Sequence, residues 1–117
     1  MIKINWKNLE CQLDSEEVAT IEEAKEFIND CLLVDPIVID SVKIIDGDNE
    51  YSLKLAEDIT VNNGPVDVMW LDHDGKSDRE TLTHSADALR FVKEFLFGQP
   101  VIFNSIKIGE QSLSLTM

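Results

Sequence analysis

The chain repeats a phrase of its own sequence, and this repetition is the strongest constraint on its fold. The segment "PIVIDSVKI" at residues 36–44 returns as "PVIFNSIKI" at residues 100–108, which is 64 positions later. At this offset, 10 of the 43 residue pairs from 2/66 to 44/108 are identical, whereas average composition gives roughly one chance identity in sixteen. A constant offset over so long a stretch predicts a tandem duplication.

The match continues after residue 44 at an offset of 60. The aligned residues are Glu50, Ser52, Leu53 and Leu55 in the first repeat and Glu110, Ser112, Leu113 and Leu115 in the second. The two repeats therefore differ in the length of one turn. Because a repeat of this length would be only marginally stable alone, we expect the two repeats to share one core or to pack through a broad interface.

Each predicted repeat begins with strand patterns. Apolar residues alternate in "IKINW" at the start of the first repeat and in "VDVMWLD" at the start of the second, which is typical of half-buried strands. In the first repeat, the spacing of Leu9, Cys11 and Leu13 predicts a second strand. In the second repeat, "DHDGK" predicts a turn and "SDRETLT" a more polar returning strand.

A helix is predicted to follow in each repeat. Thr20 and Glu23 have the spacing of a capping box at the start of the first helix. Apolar residues then share one helical face: Ile21, Ala24, Phe27, Ile28, Cys31 and Leu32 in the first repeat, and Ala88, Phe91, Val92, Phe95 and Leu96 in the second. Cys31 is therefore expected to be a buried thiol, and Trp6 and Trp70 are expected to be matched core residues.

The repeated phrase follows each helix. Its apolar residues are too dense for a strand with one solvated face, so it is predicted to be the central strand of its repeat. A hairpin comes next in each repeat. The first hairpin turns at Asp46-Gly47, and the second fits a type II′ turn at Gly109-Glu110.

These elements define the predicted fold class. We predict an α+β fold made by tandem duplication of a ββαββ unit, with two helices packed on mostly antiparallel sheet and with pseudo-twofold symmetry. Residues 1–60 form the first, strongly acidic repeat, residues 61–65 ("VNNGP") the linker, and residues 66–117 the second repeat. Both repeats are expected to lie in one compact domain.

The chain is strongly acidic, with 23 Asp and Glu against 10 Lys and Arg and a formal net charge of -13. Residues 1–60 contain 15 acids and 5 lysines, a net charge of -10, whereas residues 61–117 contain 8 acids and 5 bases, a net charge of -3. A field of this sign repels nucleic acid and anionic membranes and attracts basic surfaces. The acidity therefore belongs mainly to the first repeat.

The first helix carries the densest acidic pattern. Glu22, Glu23, Glu26 and Asp30 lie off its apolar face, and like charges at i,i+4 cost about a few tenths of a kcal/mol. With the neighbouring acids, they form the predicted partner-binding set: Glu16, Glu17, Glu22, Glu23, Glu26, Asp30, Asp46, Asp48 and Glu50. The alternative is a solvated helix face that only aids solubility.

No motif in the sequence indicates catalysis, and no cofactor is expected. The chain contains no Gly-x-Ser-x-Gly, phosphate loop or Gly-x-Gly-x-x-Gly. Its two histidines, His73 and His84, lack the companions of a zinc site. The acidic segments 46–50 and 72–80 favour hairpin turns, because Gly75 and Glu80 are misplaced for a calcium loop. A divalent-cation binder, and a glycosidase or nuclease built from scattered acids, stay open as less favoured alternatives.

The N-terminus has no basic region followed by an apolar block, and no run of about 18 apolar residues occurs. The expected location is the cytoplasm. Cys11 and Cys31 do not form a disulfide framework.

These patterns favour a small acidic protein that binds and blocks a basic surface, such as an anti-defence inhibitor or an immunity protein. The expected partner is a basic protein, such as a nucleic-acid-binding enzyme or a toxin, and the chain itself is not expected to bind nucleic acid or membranes. The alternative is a structural or assembly subunit that forms a homodimer, a larger homo-oligomer or a complex through exposed strand edges.

Overall fold

The structure, a computed structural model, describes residues 1–56, 59 and 64–116. The fold is α+β, as predicted, and every strand pair among these residues is antiparallel. The strands are β1 (Ile2–Lys7), β2 (Leu13–Val18), β3 (Pro36–Asp46), β4 (Asn49–Ser52), β5 (Lys54–Leu55), β6 (Val66–Leu71), β7 (Ser77–Leu82), β8 (Pro100–Ile102), β9 (Lys107–Ile108), β10 (Gln111–Ser112) and β11 (Leu115–Thr116). The helices are α1 (Ile21–Phe27), which continues as a π-helical turn (Ile28–Leu32), and α2 (Ser85–Glu94), which is followed by a 3-10 turn (Leu96–Gly98).

Three sheets are formed by these strands. The first has the order β2-β1-β3-β4, the second has the order β10-β9-β6-β7, and β5 pairs with β11. β8, which follows α2 in sequence, leaves the second sheet and pairs with the start of β3. In that pairing Ile37 lies opposite Val101, and in the third sheet Leu55 lies opposite Leu115. The two halves of the chain are therefore joined by direct strand pairing at two places.

The first two strands of each half pair in the same register, at an offset of 64 residues. Ile2 pairs with Val18 in the first sheet and Val66 with Leu82 in the second, and the other five pairs of each hairpin follow the same offset. The hairpin turns also correspond. Asn8 Oδ1 accepts hydrogen bonds from the backbone N–H groups of Glu10 and Gln12, and Asp72 Oδ1 accepts them from Asp74 and Lys76.

One serine in each copy of the repeated phrase forms the same pair of hydrogen bonds with the backbone. Ser41 Oγ donates to the Val38 carbonyl at 2.6 Å and accepts from the Lys7 backbone N–H at 2.7 Å, where the pairing of β1 with β3 shifts register. Ser105 Oγ makes the matching bonds, to the Ile102 carbonyl at 2.6 Å and from the Leu71 N–H at 2.9 Å. Each hydroxyl therefore satisfies backbone groups that the irregular ladder leaves unpaired.

The repeated phrase does not form the same strand in both halves. In the first half it is β3, which lies between β1 and β4 as the predicted central strand. In the second half it is divided: β8 pairs with β3, a 3-10 turn follows at Phe103–Ser105, and β9 returns to the second sheet. The prediction of one central strand per half is therefore wrong for the second half, because three residues of its phrase pair across to the first sheet.

Of two local predictions, the one for the Gly109-Glu110 loop agrees with the structure and the one for a strand through Leu9 and Cys11 does not. The hairpin loop at Gly109-Glu110 has a positive φ (64°) at the glycine alone, which matches the predicted type II′ turn. The predicted strand through Leu9 and Cys11 is wrong, because the strand begins at Leu13. Residues 9–12 form a turn, in which the Asn8 side chain binds backbone N–H groups and Cys11 has a φ of 58°.

The ends of both helices also differ from the prediction. Cys31 is exposed rather than buried, and Phe95, at the position 64 residues later, is 52% exposed. The helical geometry changes before each of these residues, to a π turn from Ile28 and out of α-helix after Glu94. The apolar face that was predicted from a repeat of 3.6 residues per turn therefore does not extend to Cys31 or to Phe95.

Buried apolar residues from both halves form one contiguous core cluster. Its fully buried members, at 0% exposure, include Ile4, Ala24, Val42, Ile44, Val68, Ala88, Val92, Leu96 and Val101. Trp70 is buried in this cluster, whereas Trp6 is half-buried at its edge. The predicted linker falls largely on residues 61–63, which lie outside the described residues. None of the described helices has the length and apolar character needed to cross a membrane.

Candidate functional site

Three of the predicted acidic residues lie in a row on the solvent side of α1 and its π-helical turn. Glu22, Glu26 and Asp30 are exposed, while Ala24 and Ile28 on the opposite side are buried. Glu22 and Glu26 are one helical turn apart, about 6 Å along the axis. We call Glu22, Glu26 and Asp30 the acidic row. Among the described residues, no member of the acidic row forms an ion pair.

Glu23 has a different environment from the acidic row. Its backbone N–H donates to Thr20 Oγ1 at 3.1 Å, and its Oε2 accepts from the Ala19 backbone N–H at 3.1 Å. The first bond is that of the predicted capping box, and the second goes to Ala19, one residue before the N-cap Thr20. Together they satisfy two backbone donors near the start of α1. The carboxylate of Glu23 therefore stabilises the helix start.

The two glutamates of β2 point to opposite faces of the first sheet. Glu16 pairs with Ile4, and Glu17 pairs with Lys3. Paired residues lie on the same face of a sheet and successive residues alternate. Because Ile4 is buried beneath α1, Glu16 lies on the helix side, whereas Glu17 lies on the other side beside Lys3.

The predicted acids of the hairpin between β3 and β4 are also divided. Asp46 pairs with Ile2 and so lies on the helix side, and Asp48 lies in the exposed turn. Glu50 lies on the other face, where its Oε1 is 4.0 Å from Lys43 Nζ. The structure thus exposes Glu22, Glu26 and Asp30 on α1 and its π-helical turn, places Glu16 and Asp46 on the helix side of the sheet, and separates Glu17 and Glu50 from them.

The corresponding row on α2 has a different charge. At the positions 64 residues after the acidic row stand Ala86, Arg90 and Glu94. Arg90 Nη1 lies 3.9 Å from Asp87 Oδ1 on the same helix. The row on α2 therefore has no net charge, whereas the acidic row carries three negative charges.

Two carboxyl groups outside this site have shifted pKa values. Partial burial raises the pKa of Asp40, and the nearby charge of Lys43 opposes that rise. The hydrogen bond from the Lys76 N–H lowers the pKa of Asp72, with help from the Asp74 N–H. The Asp72 shift reflects its role in the turn.

Within residues 1–56, 59 and 64–116, no group of three or more His, Cys, Asp or Glu side chains is arranged to hold a metal ion. The segments 46–50 and 72–80 each contain a hairpin turn, as predicted. The first turn lies one residue later than the predicted Asp46-Gly47, because Asp46 pairs with Asn49 and the loop is Gly47-Asp48. The second turn is formed by residues 72–76, before β7 begins at Ser77.

Sequence reasoning missed the concave surfaces on both sides of α1. The larger is an open groove of about 550 Å³, whose lining includes Ile21 and Lys25 from α1, Tyr51 from β4 and Leu115 from β11. A smaller pocket lies on the opposite side of the helix, beside Trp6. Their linings combine segments that are far apart in sequence, so no local pattern could have indicated them.

No protein-family model, curated protein or solved structure matches this chain.

Proposed function

We propose that this protein is a non-catalytic binder that uses the acidic row of α1 to cover a basic surface of another protein. The natural target is a surface that otherwise binds nucleic acid, because such a surface is already arranged to accept closely spaced negative charges. Covering it would block the partner, as an inhibitor or an immunity protein does.

The observation that carries this proposal is the difference between the two helices. The acidic row holds three carboxylates where the matching row of α2 is balanced. Like charges one turn apart cost about a few tenths of a kcal/mol, and no described Lys or Arg forms an ion pair with them. A basic partner would supply the missing counter-charges and gain association rate through electrostatic steering.

We also infer that the chain arose by tandem duplication and has pseudo-twofold symmetry. This is supported by the matching registers of the two hairpins, by the matching serine bonds, and by the pairing of Ile37 with Val101 and of Leu55 with Leu115. Residues that correspond in sequence face each other at those two places, as residues on a twofold axis do. Comparison with the second half then identifies the charged residues that are present in the first half alone.

Self-assembly through strand edges has less support than binding of a basic partner. One edge of the first sheet is β2, which carries Asp14, Glu16 and Glu17. Antiparallel pairing of two such edges would place carboxylates near one another, and charged edges oppose pairing.

Charge reversal on the acidic row is expected to weaken partner binding strongly. The Glu22→Lys/Glu26→Lys variant changes two exposed residues, and its affinity for the captured partner is expected to fall by roughly tenfold or more. The measurement is capture from a lysate of the source cells on immobilised protein, with elution by a salt gradient. The parent protein is expected to retain one basic protein that high salt releases.

The matched control is Glu94→Lys/Glu110→Lys, which alters the net charge equally at exposed positions of the second half. We expect this control to retain the partner. Equal retention by both variants would mean that the acidic row does not bind, and equal loss would mean that only the net charge matters.

A further inference from the structure

A pocket of about 340 Å³ opens beside the end of α1. Trp6 and Phe27 form two of its walls, with ring centroids 5.5 Å apart and ring planes tilted by 50°. Asp14, Asp35 and Cys31 also line it, and all three are exposed. None of the described residues that line the pocket is a lysine or an arginine. The pocket therefore combines aromatic walls with negative charge.

This combination favours a cation as the occupant. The face of an aromatic ring attracts a positive charge placed over it, and two rings at an angle form a partial cage around it. Asp14 lies directly opposite Trp6 in the pairing of β1 with β2. The Asn8 amide donates to Asp14 Oδ2 at 3.0 Å, which holds that carboxylate beside the tryptophan.

Among cationic groups, the guanidinium of arginine fits these walls best. It is planar and stacks on aromatic faces, and its N–H groups point outward in a fork that carboxylates accept. A volume of about 340 Å³ is at the lower end of the range of ligand pockets, roughly 300–1,000 Å³. This size suits one inserted side chain of a partner protein.

The matching place in the second half carries an additional aromatic ring. Phe95 stands where the first half has Cys31, and its ring stacks on Phe91 with a centroid distance of 5.1 Å and an interplanar angle of 25°. Gln99 stands where the first half has Asp35. Both differences favour a cation in the first half. Its aromatic wall has no third ring stacked on it, and its pocket has an additional carboxylate.

We propose that the pocket beside α1 binds an arginine side chain of the basic partner, between the aromatic walls and the two carboxylates. This inference rests on the proposed function, because it names the residue type that anchors the partner. Arginine is enriched among the few residues that dominate interface energies, and such residues commonly fill pockets. The acidic row would then attract the basic surface, and the pocket would hold one of its side chains.

The test is a titration of the full chain with N-acetyl-glycyl-arginyl-glycinamide, and in parallel with its citrulline analogue, which has a similar shape but no charge. Proton–nitrogen correlation spectra observe the indole N–H groups of Trp6 and Trp70 separately. We expect the arginine peptide to shift the Trp6 signal saturably and to leave Trp70 unchanged. The citrulline peptide is expected to shift neither signal. Equal responses of the two indoles, or a response to citrulline, would overturn the proposal.

Variants that exchange residues between the halves provide matched controls. Cys31→Phe is expected to abolish the Trp6 response, and Asp35→Gln is expected to weaken arginine binding by roughly two- to fivefold. The reverse change, Phe95→Cys with Gln99→Asp, is expected to make Trp70 respond. If Cys31→Phe fails to fold, Asp35→Gln and the reverse change carry the same test. Unchanged binding in Asp35→Gln together with a silent Trp70 would contradict the assignment.

The titration uses no partner protein, so its outcome is separate from that of the capture experiment. A saturable Trp6 response without capture of a basic partner would support the pocket and contradict the proposed function. Capture of a basic partner without a Trp6 response would support the proposed function and overturn the pocket.

Discussion

Replacing Val101 by aspartate is expected to leave the protein unfolded at room temperature. Val101 is fully buried, and its strand pairs with the start of β3 opposite Ile37. An unpaired carboxylate at this place would lose its hydration without gaining a partner, which costs several kcal/mol. The total stability of a domain is only about 5–15 kcal/mol. Circular dichroism and urea titration would show loss of the cooperative transition.

Asn104→Asp is the matched control, since it adds the same charge at an exposed residue close to Val101 in sequence. We expect its free energy of unfolding to lie within about 0.5 kcal/mol of that of the parent protein, as is usual for surface substitutions. A Val101→Asp protein with a cooperative transition near that of Asn104→Asp would show that the junction between the halves contributes little to stability.

Separating the two halves is expected to abolish folding of each. A chain of residues 1–60 retains β1 to β5 and α1 but loses β8, which pairs with β3, and β11, which pairs with β5. It also exposes the side of the core that Val92, Leu96 and Val101 cover. Domains of about this size are marginal even with a complete core. Urea titration of the fragment is therefore expected to show no cooperative transition.

Mixing the fragments 1–60 and 61–117 in equal amounts is expected to restore the transition, because the strand pairs and core contacts between the halves can form again. The second fragment alone is the control for independent folding. If either fragment alone unfolds cooperatively with a stability close to that of the full chain, the halves are independent units and the shared core is not what stabilises them.

Much of the local structure follows from patterns that act within a few residues. The capping box at Thr20 and Glu23, the loop at Gly109-Glu110 and the polar strand β7 were all predictable. Each depends on side chains that bind neighbouring backbone or on a residue that permits a positive φ. The internal match also predicted two helices on mostly antiparallel sheet.

Other features depend on contacts between distant segments, which a pattern in one segment does not encode. The transfer of β8 to the first sheet requires that Val101 meet Ile37, 64 residues away in sequence. The exposure of Cys31 and Phe95 follows from where each helix departs from regular geometry. For the candidate site, the sequence predicted the acidic row, but it did not predict that Glu17 and Glu50 lie on the far face or that a pocket opens beside Trp6.

The proposed blocking of a nucleic-acid-binding surface can be tested by competition. The captured basic partner is mixed with labelled duplex DNA, or with RNA if that is what it binds, and increasing amounts of this protein are added. We expect this protein to displace the nucleic acid completely, and we expect the Glu22→Lys/Glu26→Lys variant to fail to do so. A ternary complex of partner, nucleic acid and this protein would contradict the account, because the acidic row would then not occupy the surface that binds nucleic acid.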